Sequence, residues 1–137
     1  MCEFKTVKSN TDLQTFFHEV NFFHDSMIRQ CTTQSIGYVD HQAWMYGDTE
    51  PFNAKLFIQS QFPESPCIEI HLYRVSRLLL EEIFLSEACG KLDDQKIFIS
   101  FYHSSVENVM FNDFSLVAEE MKYRILDKSH LGEKLVF

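Results

Sequence analysis

His24-Asp25-Ser26, directly after Phe22-Phe23, is the densest grouping of side chains able to do chemistry. A histidine beside an aspartate could share a proton or hold a metal ion. Neighbours on an extended chain point to opposite sides, so His24 and Asp25 would need a turn to face one pocket. The plainer reading gives Asp25 and Ser26 a local task, holding the passage from a helix to a strand through hydrogen bonds to nearby backbone. The other histidines are scattered: His18 in a helical pattern, His41, His71 and His103 in extended ones, and His130 near the end. His71 and His103 could meet across neighbouring strands and, with Glu69 or His24, offer zinc-compatible ligands. No spacing demands it, and partly exposed strand histidines are the simpler expectation.

Other chemistries lack their residues. There is no G-x-S-x-G turn, no cysteine in a recognisable catalytic signature, and with 4 Gly no phosphate-cradling loop. Carboxylates pair up at Glu81-Glu82, Asp93-Asp94 and Glu119-Glu120. Cooperating carboxylates in glycoside hydrolysis face each other across a cleft, which adjacency in sequence does not provide. The expectation is therefore a protein that is not an enzyme, with no catalytic residue, no metal and no cofactor. Its acidic pairs then form a solvated or partner-facing rim.

Charge says what such a rim would meet. Lys and Arg total 12 against 20 Asp and Glu, a net charge of -8. That disfavours a nucleic acid or an anionic membrane surface, both of which require clustered positive charge. It suits a basic protein, whose approach an acidic surface accelerates; plain solubility is the bland alternative. Candidate contacts are Asp40, Asp48 and Glu50 in one loop region, then Glu81, Glu82, Asp93, Asp94, Glu119 and Glu120, with Trp44 and Tyr46 as aromatic anchors. No apolar run is long enough to span a bilayer, and the start lacks a signal-peptide layout. Cys2, Cys31, Cys67 and Cys89 show no C-x-x-C pairing, which favours a reducing, cytoplasmic setting with Cys31 and Cys67 as small apolar strand residues.

The elements that must carry these groups follow from periodicity. Leu13, Phe16, Phe17 and Val20 share one helical stripe, behind a Ser9-Asn10-Thr11 cap and with Asp12 in the first turn. Cys67 to Leu80 reads as a central strand: Ile68, Ile70 and Leu72 alternate with Glu69, His71 and Tyr73, and the alternation slips at a bulge or bend near Ser76. Met27 to Ile36 is a first strand, turned by Gly37, and Tyr38 to Met45 its return. Asn53 to Phe62 and Lys96 to His103 alternate as strands, whereas Cys89-Gly90-Lys91 is loop-like. Phe114 to Leu126 fits either a helix or a strand, and Leu135 to Phe137 could form a last edge strand. The 137 residues thus predict a single α+β domain, residues 1–137, with an N-terminal helix packed on a mainly antiparallel, meander-like sheet. Phe57, Tyr73, Phe98 and Tyr102 lie opposite the aliphatic stripes, so the second face is either covered or displays an aromatic patch.

FFHDSMIRQ, the strand-rich acidic remainder and the late LVAEEMKYRIL segment with its Tyr123-Arg124 pair together resemble small bacterial proteins of the toxin-immunity type. Those belong to contact-dependent growth inhibition and polymorphic-toxin systems. The resemblance implies a small α+β fold, no enzymatic activity, and binding to a cognate toxin domain. It also favours the strand reading of Phe114 to Leu126, and it carries over no functional residue. A nuclease-type toxin domain would be basic, matching the charge argument. Two other readings remain open: a module for some other protein partner, and a small-molecule or metal-binding protein using the strand histidines.

Overall fold

The helix starts at a reciprocal cap. In the computed structural model, which describes residues 3–47, 51–130 and 132, the Asp12 amide donates to Ser9 Oγ at 3.1 Å. The Lys8 amide donates back to Asp12 Oδ2 at 2.9 Å. Helix α1 then runs Asn10–Glu19 and buries Leu13, Phe16 and Phe17, with Val20 buried at its C-cap. That is the predicted stripe.

Among the described residues ten strands accompany it: β1 (Lys5–Val7), β2 (Ser26–Ser35), β3 (Tyr38–Val39), β4 (Met45–Tyr46), β5 (Phe52–Ser60), β6 (Cys67–Leu78), β7 (Phe84–Leu85), β8 (Cys89–Asp93), β9 (Lys96–Ser100) and β10 (Leu116–Leu126). The main sheet is antiparallel, in the order β7-β2-β5-β6-β10-β9-β8, with β1 also on β10. Strand β6 is therefore the middle of the sheet, as its pattern predicted. Its register shifts against β10 between Val117 and Ala118, which face Arg77 and Val75, leaving Ser76 as the extra residue. A second irregularity, against β5, falls at Tyr73-Arg74, where Arg74 takes φ 54°.

Strand β10 holds the two halves together. Along one side it pairs with β6; on the other it pairs with β9 through Leu116–Ala118 and with β1 through Met121–Tyr123. The segment that fitted helix or strand is thus a strand, because only an extended chain reaches three neighbours.

The core lies between α1 and one face of this sheet. Leu56, Ile58, Ile70, Leu72, Met121 and Tyr123 meet Leu13, Phe16, Phe17 and Val20, and Phe16 stands edge-on to Tyr123 at 4.5 Å. The helix start is tied to β8 by the Asn10 side chain. Its amide donates to the Leu92 carbonyl at 3.0 Å, and its oxygen accepts from the Leu92 amide at 2.8 Å. Here the loop-like reading of Cys89-Gly90-Lys91 is corrected: it is the start of β8. Gly90 is there for clearance, since a Cβ would lie 2.9 Å from the Phe17 ring and 2.6 Å from the Phe98 carbonyl.

Two further readings change. Tyr38 to Met45 is not the partner of β2; that partner is β5, paired from Ser26↔Ser60 to Ser35↔Phe52. Cys31 is exposed, not a filler of the core. On the second face, Phe98 is covered by Phe114, Val117 and Val109, whereas Phe57 and Tyr73 are half-buried among the polar side chains of their own face. Among the described residues no helix is long and apolar enough to cross a membrane.

Candidate interaction surface

Between β2 and β5 the chain folds into a small hairpin of its own, β3–β4, which among the described residues pairs with nothing in the main sheet. Its base is a close approach of two glycines. A Cβ on Gly47, which has φ 132°, would lie 2.5 Å from the Gly37 Cα, so neither position has room for a side chain. Its tip is braced by Asp40, whose Oδ1 accepts from the Gln42 and Trp44 amides at 2.9 Å each. Those bonds, Trp44's first, together with one from Tyr46, hold the Asp40 carboxyl below the usual aspartate range although partial burial opposes them.

What the hairpin presents is apolar. Met45 is 83% exposed, Trp44 65%, Tyr38 61% and Val39 58%, and Tyr38 stacks on Tyr46 with ring centres 5.1 Å apart. Large apolar side chains grouped this way make the hairpin a candidate interaction surface. Trp44 and Tyr46 were already candidate contacts in the sequence, and both are exposed. Tyr38, Val39 and Met45 were missed because their stretch was taken for a sheet strand. The signal was present in Gly37 and Gly47, which bracket the apolar run.

The acidic candidates fall in separate places. Asp40 braces the hairpin tip, and Asp48 and Glu50 lie outside the described residues. Glu81 and Glu82 are exposed in the β6–β7 link, where their amides donate to the Tyr102 hydroxyl at 2.8 and 2.9 Å. Asp93 and Asp94 begin the β8–β9 turn, with Asp93 facing Lys96 in the register and φ positive at Asp94 (49°) and Gln95 (61°). Glu119 pairs with Arg74 at 2.7 Å, and Glu120 is exposed opposite Tyr73. The β10–β9 ladder ends at Ala118↔Ile97, one step short of Glu119 and Lys96. The Asp93-Asp94 turn and the Glu119-Glu120 pair therefore share one stretch of sheet edge. Basic side chains are interleaved with these carboxylates, Arg74 on Glu119 and Lys91 3.9 Å from Asp93.

The histidines do not converge. His71 is on β6 and His103 follows β9, with β10 between them. Among the described residues no group of three potential metal ligands comes together. His71 instead donates to Glu69 Oε1 at 2.8 Å, and Arg124 reaches Glu69 Oε2 through Nε at 2.7 Å and Nη2 at 2.6 Å. Burial alone would raise the Glu69 pKa; the hydrogen bonds from His71 and Arg124 outweigh it and hold the carboxyl below its ordinary value. Phe4 lies over this cluster, 4.5 Å from Arg124, 4.7 Å from Lys122 and 4.7 Å from the His71 ring.

His24 and Asp25 do meet, at 3.3 Å, because the chain turns there: Asn21, Phe22, Phe23 and Asp25 all have φ between 52° and 58°. No glycine announced it. The local task falls to Ser26, whose hydroxyl donates to the His24 carbonyl at 3.4 Å, while His24 Nδ1 donates to the distant Ser86 carbonyl at 2.9 Å and fastens the link before β8. That bond first, and Asp25 second, raise its pKa above 6.5. Beside the turn lies an open cleft of about 890 Å³, walled by Met27, Phe62, Pro66, Phe84 and Leu85, with Asp25, Glu82 and Lys128 at its margins. No strand histidine lines it.

No protein-family model matches the chain, and neither a characterised protein nor a solved structure matches it.

Proposed function

We propose that this chain is an immunity-type inhibitor that binds a basic toxin domain and neutralises it without carrying out a reaction. The observation that carries the reading is the β3–β4 hairpin, an element outside the main sheet whose large side chains face solvent. Such a hairpin contributes little to the core, so a binding role accounts for it. Aromatic anchors of this kind dominate interface energetics when they fill a partner's pocket. The net charge of -8 supplies the long-range part by drawing a positively charged partner in. A cytoplasmic setting follows from the same reading, since an inhibitor of a nuclease-type toxin must act where nucleic acid is held.

The test is titration calorimetry and stopped-flow association with the toxin domain encoded next to this chain's gene. Trp44→Ala should weaken binding by roughly 30-fold, the ~2 kcal/mol of a hot-spot residue, and leave the melting temperature unchanged. Association of the unaltered chain should slow at least several-fold as salt rises from about 50 to 500 mM. Unchanged affinity in the variant would remove the hairpin from the interface, and salt-independent association would remove the charge argument.

A further inference from the structure

Strand β2 continues beyond the sheet that supports it. Strand β7 covers its outer edge only at Ser26 and Met27, with one more bond from the Ile28 amide to the Ile83 carbonyl. From Gln30 to Ser35 its other edge pairs with β5, and every residue is exposed. Alternate residues of a strand turn both backbone groups to the same side, so half of this stretch directs N–H and C=O groups away from β5. Among the described residues nothing pairs with them.

Edges like this are normally blunted by a lysine, a proline, a bulge or a covering loop. Among the described residues Gln30 to Ser35 has none of these; a bulge and a charge, both at Arg29, come just before it. The uncharged run extends further, over the ten residues from Gln30 to Val39, in a chain where 23% of residues are charged. The other uncharged run of that length, Ile97 to Val106, passes through the core. A strongly acidic chain repels copies of itself, and in a two-fold contact the residues on the axis meet their own copies. A charge-free edge is where such a chain can meet a copy of itself without that penalty.

We infer that β2 pairs antiparallel with β2 of a second copy of this chain, joining two sheets into one. The ends of the gap fit this occupant. In an antiparallel pairing centred on Thr32-Thr33, Ser35 lies opposite the copy's Gln30. Residues beyond Ser35 then run toward the copy's β7. Ile36, 38% exposed, then lies opposite Arg29, and Ile83 and Phe84, 57% and 63% exposed, lie just beyond, so apolar surface flanks the pairing at both ends. Trp44 and Met45, at the hairpin tip, take no part, so the toxin-binding reading and this one stand or fall separately.

Sedimentation velocity of the full chain over about 1 to 100 µM should show a dimer. Thr32→Pro and Thr33→Pro are made singly: one removes an amide bonded to β5, the other an outward amide. The outward variant should keep the native circular dichroism spectrum and sediment as a monomer. If both variants unfold, a nitroxide on Cys31 in a Cys2→Ser background decides. On paired strands about 4.8 Å apart, two such labels broaden each other's spectrum, and dilution with unlabelled chain removes the effect. A monomer at every concentration overturns the proposal, whatever else covers the edge. So does a dimer without broadening, or one that survives in the folded proline variants.

Discussion

Glu69 shows how one carboxylate can organise a sheet face. It is held by a histidine on its own strand and an arginine on the next, with only a fifth of its side chain exposed. Removing one member of such a group is costlier than its net contribution, because the partners stay desolvated. Glu69→Gln should lower stability by ~1–3 kcal/mol, read as a reduced urea midpoint with unchanged slope. Its folded pKa is depressed, so its contribution is present above the ordinary glutamate range and is lost as pH falls through the folded value. His24 has the opposite sign. A carbonyl can only accept, so Nδ1 carries a proton in either charge state, and protonating Nε2 lets the ring also satisfy Asp25. The His24–Ser86 link is therefore fully present below pH 6.5 and weakens as pH rises through the raised folded pKa. An NMR titration of His24 should give a midpoint above 6.5, and Asp25→Asn should lower it. A midpoint at or below 6.5 contradicts the geometry.

At the scale of elements, the contact between α1 and β8 is the most tightly specified. Phe17 packs where Gly90 leaves no side chain, and Asn10 pairs with the Leu92 backbone as a strand would. Gly90→Ala should destabilise by ~1–3 kcal/mol, the range for overpacking a filled core. A smaller loss in the double variant with Phe17→Leu would show that the two positions compete for one space. The same contact explains what the sequence revealed and what it hid. The helix stripe, β6 and the Ser76 bulge are legible because each is a local periodicity of 3.6 or 2, or a break in one. Strand β8 was hidden because Gly90 punctuates like a loop residue, while the reason for it is a ring seventy-odd positions away. Strand β1, three residues long, is too short to show a period. The turn at Asn21–Asp25 was hidden because left-handed backbone is ordinarily signalled by glycine, and here tertiary packing imposes it on Asn, Phe and Asp. Of the candidate surface, Trp44 and Tyr46 were readable as residue types; their exposure was not, because aromatic residues are usually interior and only topology sets β3–β4 outside the sheet.

For the whole molecule, charge and topology act together. The β8–β9 turn and the Glu119-Glu120 pair lie toward the same end of neighbouring strands, where Arg74 and Lys91 offset part of their charge. Asp93→Asn with Asp94→Asn removes two charges while keeping side chains that tolerate positive φ at the turn. If the edge helps capture a basic partner, association should slow a few-fold and the melting temperature should hold. A variant that loses stability and keeps its association rate would make this pair a turn element only.

Strand β10 has one more consequence, which concerns synthesis. It begins at Leu116, yet it is the neighbour that β6, β9 and β1 all require, β1 being made more than a hundred residues earlier. A ribosome-bound chain that stops short of Leu116 has Lys5–Val7 and the central strand both waiting for a partner not yet translated. Contacts this far apart form slowly and late, so native structure should appear only once Leu116–Leu126 has left the exit tunnel.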